Sequence, residues 1–285
     1  MTTSDQRPAR GLRRRLRRAD RPDTVQAQRP LSITDPVFLG VDEDGARVVI
    51  ELAYRNLLVG GEPGGGKSVL LSNVIAHAAL STDAQLWLLD GKQVELGMWR
   101  TVADVFVGND VPLALDTLTR LQELTDARYD VLAAQGRRKV TAEDGDFVLV
   151  AVDEIAYYSA TVGDKKTQEA FAVRLRDLVA RGRAAGVIVV AATQRPSSDI
   201  IPTSLRDLFG YRAAFRCTTD ATSDIVMGSG WAREGYSAAA IAPEDRGVGW
   251  LLAEGGIPRR FKGAYLSDAD IGRIAAHART LRGAA

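Results

Sequence analysis

Cysteine is almost missing from this chain. Cys217 is the single one in 285 residues, so no disulfide can close within it and no thiolate cluster is available for a metal. Histidine is nearly as scarce, with two residues, which leaves the chain poor in zinc ligands. No apolar run approaches the roughly 20 residues needed to span a bilayer, and the N-terminus is arginine-rich without the apolar segment of a signal peptide. These absences lead to the expectation of an intracellular protein, cytoplasmic or peripheral at the inner face of the membrane. What is present is an ordinary globular composition, 46% hydrophobic and 26% charged, long enough for one large α/β domain or at most two. The net charge of +1 hides an asymmetry: residues 1–30 carry nine arginines against three aspartates, a balance of +6, so the remainder stands near −5 (+1 minus +6). Such a leader reads as a solvated, disordered segment, or as one that touches nucleic acid or an anionic membrane surface.

The organising stretch is Gly61-Glu62-Pro63-Gly64-Gly65-Gly66-Lys67-Ser68, which matches G-x-x-x-x-G-K-[ST]. Asn56 to Val59 reads as a short buried strand entering it, and Ser68 to Ala79 as an apolar-faced helix leaving it. Glycines let the backbone wrap closely round a phosphate with its N–H groups inward, and the helix N-terminus adds a favourable dipole. Lys67 would reach the β- and γ-phosphates of ATP, and Ser68 would place its hydroxyl on Mg²⁺.

The rest of the chain alternates strands and helices. Residues 11–18 could form two helical turns with only Leu12 and Leu16 on one face. Val37 to Leu52 turns around Asp42-Glu43-Asp44-Gly45, which predicts a hairpin. Strands are expected at Gln85–Asp90, Phe147–Val152, Val187–Ala192, Tyr211–Cys217 and Gly247–Ala253. Helices are expected at Val111–Ala134, Thr167–Ala184 and Ser267–Leu281. The apolar runs at 147–152 and 187–192 suit parallel strands covered on both faces. The pattern predicts a largely parallel sheet with right-handed crossovers.

Ligands of such sheets sit beyond the carboxyl ends of the strands. Those ends carry Lys67 and Ser68, Asp90, Asp153 and Glu154, and Gln194. Asp153 suits the second Mg²⁺-organising acid, and Glu154 the group that accepts a proton from water attacking the γ-phosphate. Gln194 would orient that water or sense the γ-phosphate. Lys92 reads by default as a surface lysine after a turn.

Asp90-Gly91-Lys92-Gln93-Val94-Glu95-Leu96, Val152-Asp153-Glu154, Arg183-Ala184-Ala185-Gly186 and Ala192-Thr193-Gln194-Arg195-Pro196-Ser197 stand in the order found in the FtsK/SpoIIIE family of DNA-pumping motors. The resemblance runs from about Leu57 to Ala253. It implies a RecA-like P-loop NTPase fold of the ASCE class, with a central mostly parallel sheet flanked by helices. An extra strand, Val187–Ala192, would separate the phosphate-loop strand from the Asp-Glu strand, with Gln194 at its tip. It further implies ATP hydrolysis with Mg²⁺, and a hexameric ring around double-stranded DNA in which a neighbour donates an arginine to the γ-phosphate. Arg183 and Arg212 stand where family members carry arginine and are the candidates. The chain departs from the cell-division translocases after Thr219: their Ser-Arg-Thr-Ile-Leu is replaced by Thr222-Ser223-Asp224-Ile225-Val226, so an intersubunit role of that arginine does not carry over.

The division expected is a disordered leader at 1–30, a small β extension at 31–55, the motor domain at 56–266, and a closing helix and tail at 267–285. No N-terminal membrane spans are read, and too little follows Ala253 for the winged-helix domain that reads DNA orientation. This short form resembles transfer proteins of actinobacterial plasmids and integrative elements, working with a membrane partner protein. The alternatives are a chromosome-partitioning translocase and an ATPase that energises a specialised protein secretion system. A non-enzymatic module that uses nucleotide only to assemble is disfavoured by the intact Lys67, Ser68, Asp153 and Glu154.

Overall fold

In the computed structural model of the chain, the described residues are 30–145 and 147–283. The Arg-rich leader and its two expected helical turns lie outside them. The first elements are β1 (Val37–Val41) and β2 (Arg47–Ile50), a hairpin closed by the Asp42 amide donating to the Ala46 carbonyl at 2.9 Å. Then follow β3 (Leu57–Gly60), α1 (Lys67–Leu80), β4 (Ala84–Leu89), β5 (Val105–Val107) and α2 (Val111–Ala134). The chain continues through β6 (Phe147–Val152), α3 (Lys165–Arg181), β7 (Val187–Thr193), α4 (Thr203–Arg206), β8 (Tyr211–Phe215) and α5 (Asp220–Met227). It closes with β9 (Val248–Ala253), β10 (Arg259–Gly263) and α6 (Asp268–Gly283).

All ten strands join one sheet in the order β2-β1-β10-β9-β8-β3-β7-β6-β4-β5. From β8 to β5 the neighbours are parallel, and β9, β10, β1 and β2 extend the sheet as antiparallel pairs. As the resemblance implies, β7 lies between β3 and β6. The wholly buried runs of β6 and β7 split their side chains between two cores. Leu149, Ala151, Ile188 and Val190 pack with Leu70, Val74 and Ile75 of α1. Val150, Val152, Val189 and Ala191 pack with Leu118 and Leu121 of α2 and Phe171 and Leu175 of α3. Burying both faces is why these strands show no polar alternation. Cys217 belongs to the second core, where burial pushes its thiol up to about 12.

Two segments of the expected division, 31–55 and 267–285, pack with the residues between them. Within residues 31–55, β1 pairs with β10 (Gly40 against Gly263) and so joins the central sheet. Ile271, Ala275 and Ala278 of α6 enter the core under α1, and Arg282 donates to the carbonyls of Ala78 and Ala79 at 3.0 Å and of Ala84 at 2.8 Å. A guanidinium here satisfies the carbonyls that a helix C-terminus leaves unpaired.

Helix caps fix where the long helices begin. The Asp110 carboxylate accepts from the Leu113 amide at 2.9 Å to start α2, with Pro112 in its first turn, and Asp164 accepts from Thr167 at 2.7 Å to start α3. Asn56 ties the base of the site strand: its Nδ2 donates to Val179 O and its Oδ1 accepts from the Val189 amide, both at 2.8 Å. Fully buried, this one amide couples β3, α3 and β7.

Candidate nucleoside triphosphate site

The loop between β3 and α1 folds on its own backbone and on two neighbours. Gly65 N donates to Glu62 O at 3.1 Å, Glu62 N to Arg216 O at 2.9 Å, and Gly247 N to Gly65 O at 2.8 Å. Gly66 sits at φ 131°, and a Cβ there would lie 2.6 Å from Gly247 Cα and 2.8 Å from the Phe215 ring. Only glycine fits that space. The Glu62 side chain turns to Arg216 Nη1 at 2.8 Å and to the Thr218 hydroxyl, while Pro63 and Gly64 are exposed. So Glu62 braces the loop from behind and contributes its backbone to the cradle. At the start of α1 there is no side-chain cap and no acid in the first turn. Its amides and dipole are therefore left for an anion.

Lys67 is buried and points across to the tip of β6. Its Nζ donates to Asp153 O at 3.2 Å and pairs with the Asp153 carboxylate through Oδ1. The other oxygen, Oδ2, is buried and has no hydrogen-bond partner. Mg²⁺ in a nucleotide site takes one or two protein oxygens, the rest of its shell coming from phosphate and water. An orphaned carboxylate oxygen with Ser68, the second residue of α1, suits that demand. No group of three or more His, Cys, Asp or Glu that could cage a metal exists among the described residues.

Glu154, one residue on, is held by the tip of β7. Its Oε1 accepts from the Thr193 hydroxyl at 2.6 Å and from the Ala156 amide at 3.3 Å, and its Oε2 from the Gln194 amide at 2.9 Å. Thr193 O in turn accepts from Gly61 N at 3.3 Å, which joins the phosphate loop to the same strand tip. Lys67, Asp153, Glu154 and Gln194 are thus brought together at one sheet edge. Thr193 and Gly247 carry this arrangement without having been assigned a role from sequence. The signal for Thr193 was a polar residue ending a wholly apolar strand.

A family model for the FtsK/SpoIIIE family matches residues 19–235. The chain belongs to the FtsK/SpoIIIE family. Among curated family relatives, the DNA translocase FtsK of Lactiplantibacillus plantarum is 28% identical over 276 residues, covering 88% of this chain and 33% of that protein. The DNA translocase FtsK of Pseudomonas aeruginosa is 28% identical over 293 residues, covering 88% and 34%. The chain therefore spans about a third of the length of these translocases. Among solved structures it resembles the conjugation coupling protein TcpA of pCW3 with ATPγS, with a TM-score of 0.73, 22% identity and coverage of 87% of this chain and 71% of that one. It also resembles EssC (ATPases 2 and 3) from Geobacillus thermodenitrificans, with a TM-score of 0.71, 12% identity and coverage of 89% and 50%. These likenesses show a shared fold.

The two candidate arginines sit apart from the Lys67 cluster of their own chain. Arg183 lies in the turn between α3 and β7, at the amino end of a strand parallel to β3, hence at the opposite sheet edge. Arg212 is the second residue of β8, opposite Leu58, with Nη1 3.7 Å from Asp207 Oδ1. Burial, then the neighbouring Arg206, lowers its pKa. Ser223, in the stretch where the sequence departs from the expected pattern, accepts from the Ala238 amide at 3.0 Å through its Oγ, inside the fold.

Proposed function

We propose that this chain is an ATP-hydrolysing motor unit that translocates double-stranded DNA, serving conjugative transfer of a plasmid or integrative element. The observation that carries the hydrolytic part is the buried Lys67–Asp153 pair with the Glu154 carboxylate fixed beside it by Thr193 and Gln194. The phosphate-loop amides and the α1 N-terminus would receive the phosphates, and Lys67 would leave Asp153 for the β- and γ-phosphate oxygens. Ser68 and Asp153 would hold Mg²⁺, which neutralises charge on the phosphates. Glu154 would accept the proton of the attacking water through whichever oxygen faces the phosphate.

The DNA part rests on family membership and on the DNA translocases it matches. The likeness to a conjugation coupling protein supports transfer between cells. On this reading the unit works as a homo-oligomer, a hexameric ring round the duplex. Arg183 or Arg212 of each subunit would reach the γ-phosphate of a neighbour, coupling turnover to subunit contact. The ring would act at the inner face of the membrane with a membrane partner protein. No helix among the described residues is long and apolar enough to cross a membrane.

The test is ATP turnover by the purified chain with and without long duplex DNA. Stimulation by DNA, falling steeply with salt as backbone contacts are screened, supports the proposal. Equal rates in both overturn it. Likeness to the Type VII secretion ATPase EccC of Thermomonospora curvata, with a TM-score of 0.67 and 20% identity, favours a second reading, an ATPase driving protein export. Stimulation by a secreted helical protein and indifference to DNA would select it.

A further inference from the structure

The stretch Asp90-Gly91-Lys92-Gln93-Val94-Glu95-Leu96 has so far no part in the site, yet its geometry is unusually specified. The Asp90 carboxylate is buried and gathers three backbone amides: Lys92 at 3.1 Å and Gln93 at 2.9 Å on Oδ1, Leu96 at 2.9 Å on Oδ2. Desolvation raises the Asp90 pKa. Gly91 lies flat against Tyr157, where a Cβ would come 2.1 Å from the ring. Tyr157 opens the π-helical turn Tyr157–Thr161 that follows Glu154. The loop is therefore anchored at its acid, pressed against the segment after Glu154, and closed by the buried Leu96. What this projects into the site is Lys92. Its Nζ donates to Gln194 Oε1 at 3.1 Å and stands 3.9 Å from Glu154 Oε2.

An ammonium can only donate, so it must take the oxygen end of the Gln194 amide. That settles which way the amide faces. We propose that Lys92 is a positioning residue that fixes the polarity of Gln194, leaving Nε2 as the end offered to the terminal phosphate of a bound nucleoside triphosphate. Phosphate oxygens accept and do not donate, so Gln194 with its oxygen held is suited to sensing phosphate. Orienting a water through the amide oxygen would require Lys92 to let go. The backbone amide of the same residue holds Glu154, so contact with phosphate at Nε2 is passed directly to the Glu154 carboxylate. This inference rests on the nucleotide-site reading above and deepens it.

The experiment measures equilibrium binding of ADP and of a non-hydrolysable ATP analogue to the full chain and its variants. Wild type should prefer the triphosphate. Lys92→Met should cut that preference about tenfold, the scale of one charge-assisted hydrogen bond. ADP affinity and thermal midpoint should hold, because Lys92 touches neither the loop nor the core. Lys92→Arg, which keeps the donor, should retain most of the preference. In a Gln194→Ala background, Lys92→Met should have no further effect, since it acts through that amide. An equal loss in the Gln194→Ala background would overturn the inference by showing that Lys92 acts through its own charge. An unchanged preference in Lys92→Met would overturn it outright while leaving the nucleotide site standing. Failure of wild type to bind either nucleotide would overturn the site reading and this inference with it.

Discussion

Lys67 and Asp153 form a buried ion pair across the gap between α1 and the tip of β6, with one oxygen of Asp153 left unpaired. Lys67→Ala is therefore more than a loss of the phosphate counter-charge. Removing one partner leaves a buried carboxylate alone, at a cost of about 3 kcal/mol. Chemical denaturation should show that loss, and Asp153→Asn added to Lys67→Ala should recover most of it. Both variants should fail to bind ATP. An unshifted midpoint in the single variant would mean that the pair carries no stability.

Thr193 holds Glu154 through a 2.6 Å hydrogen bond and accepts from the Arg195 amide at 3.1 Å. Thr193→Val keeps the shape and removes the donor. ATP turnover should fall about tenfold as the carboxylate loses its orientation, with binding of a non-hydrolysable analogue unchanged. Steady-state kinetics beside equilibrium binding separates the two. A parallel loss of binding would make Thr193 a determinant of loop structure instead.

Much of this site was legible in the residues before their placement was known. The phosphate loop carries its own signature, and β6 and β7 are marked by apolar runs that only doubly covered strands need. The bounds of α2 agree because Asp110 and Pro112 signal its start locally. Long-range pairing left no such trace. β10 contains a single buried apolar side chain, Phe261, among Arg259, Arg260 and Lys262, and β5 is three residues long. Neither reads as a strand. With β10 not legible, nothing in the sequence ties the β1–β2 hairpin to the central sheet. Lys92 is the surface lysine it read as, 42% exposed. Its contact with Gln194 was hidden because the three amides that fold its loop onto Asp90 are backbone groups, which composition does not display.

His77 gives the fold a pH limit. Burial lowers its pKa below the ordinary value of 6.5, against the opposing effects of the Ser32 carbonyl, which meets Nε2 at 3.0 Å, and of Asp35 and Asp83. A depressed histidine binds its proton more readily once unfolded. Its contribution is fully present above 6.5 and is lost as pH falls from there through the folded value. Thermal midpoints taken from about pH 7.5 down to about pH 5 should fall in wild type, and fall less in His77→Gln, which keeps a donor for Ser32. Equal slopes would remove His77 as the cause.

Arg282 joins the end of α6 to the end of α1 and the start of β4, and its Nη1 pairs with Asp104 at 2.8 Å. Arg282→Ala should lower stability by about 1–3 kcal/mol, because the helix-end carbonyls lose a charged donor. Nucleotide affinity should not move, since these contacts lie at the far end of α1 from Lys67. Denaturation and nucleotide titration of the same preparation check both halves.

The central claim is tested most directly by ATP turnover of wild type and Glu154→Gln, each with and without long duplex DNA. Wild type should hydrolyse ATP and be stimulated by the duplex. Glu154→Gln should bind ATP with similar affinity while turnover falls at least about a hundredfold under either condition. Wild-type turnover that ignores DNA, or a Glu154→Gln variant that still hydrolyses ATP at the normal rate, would contradict the account.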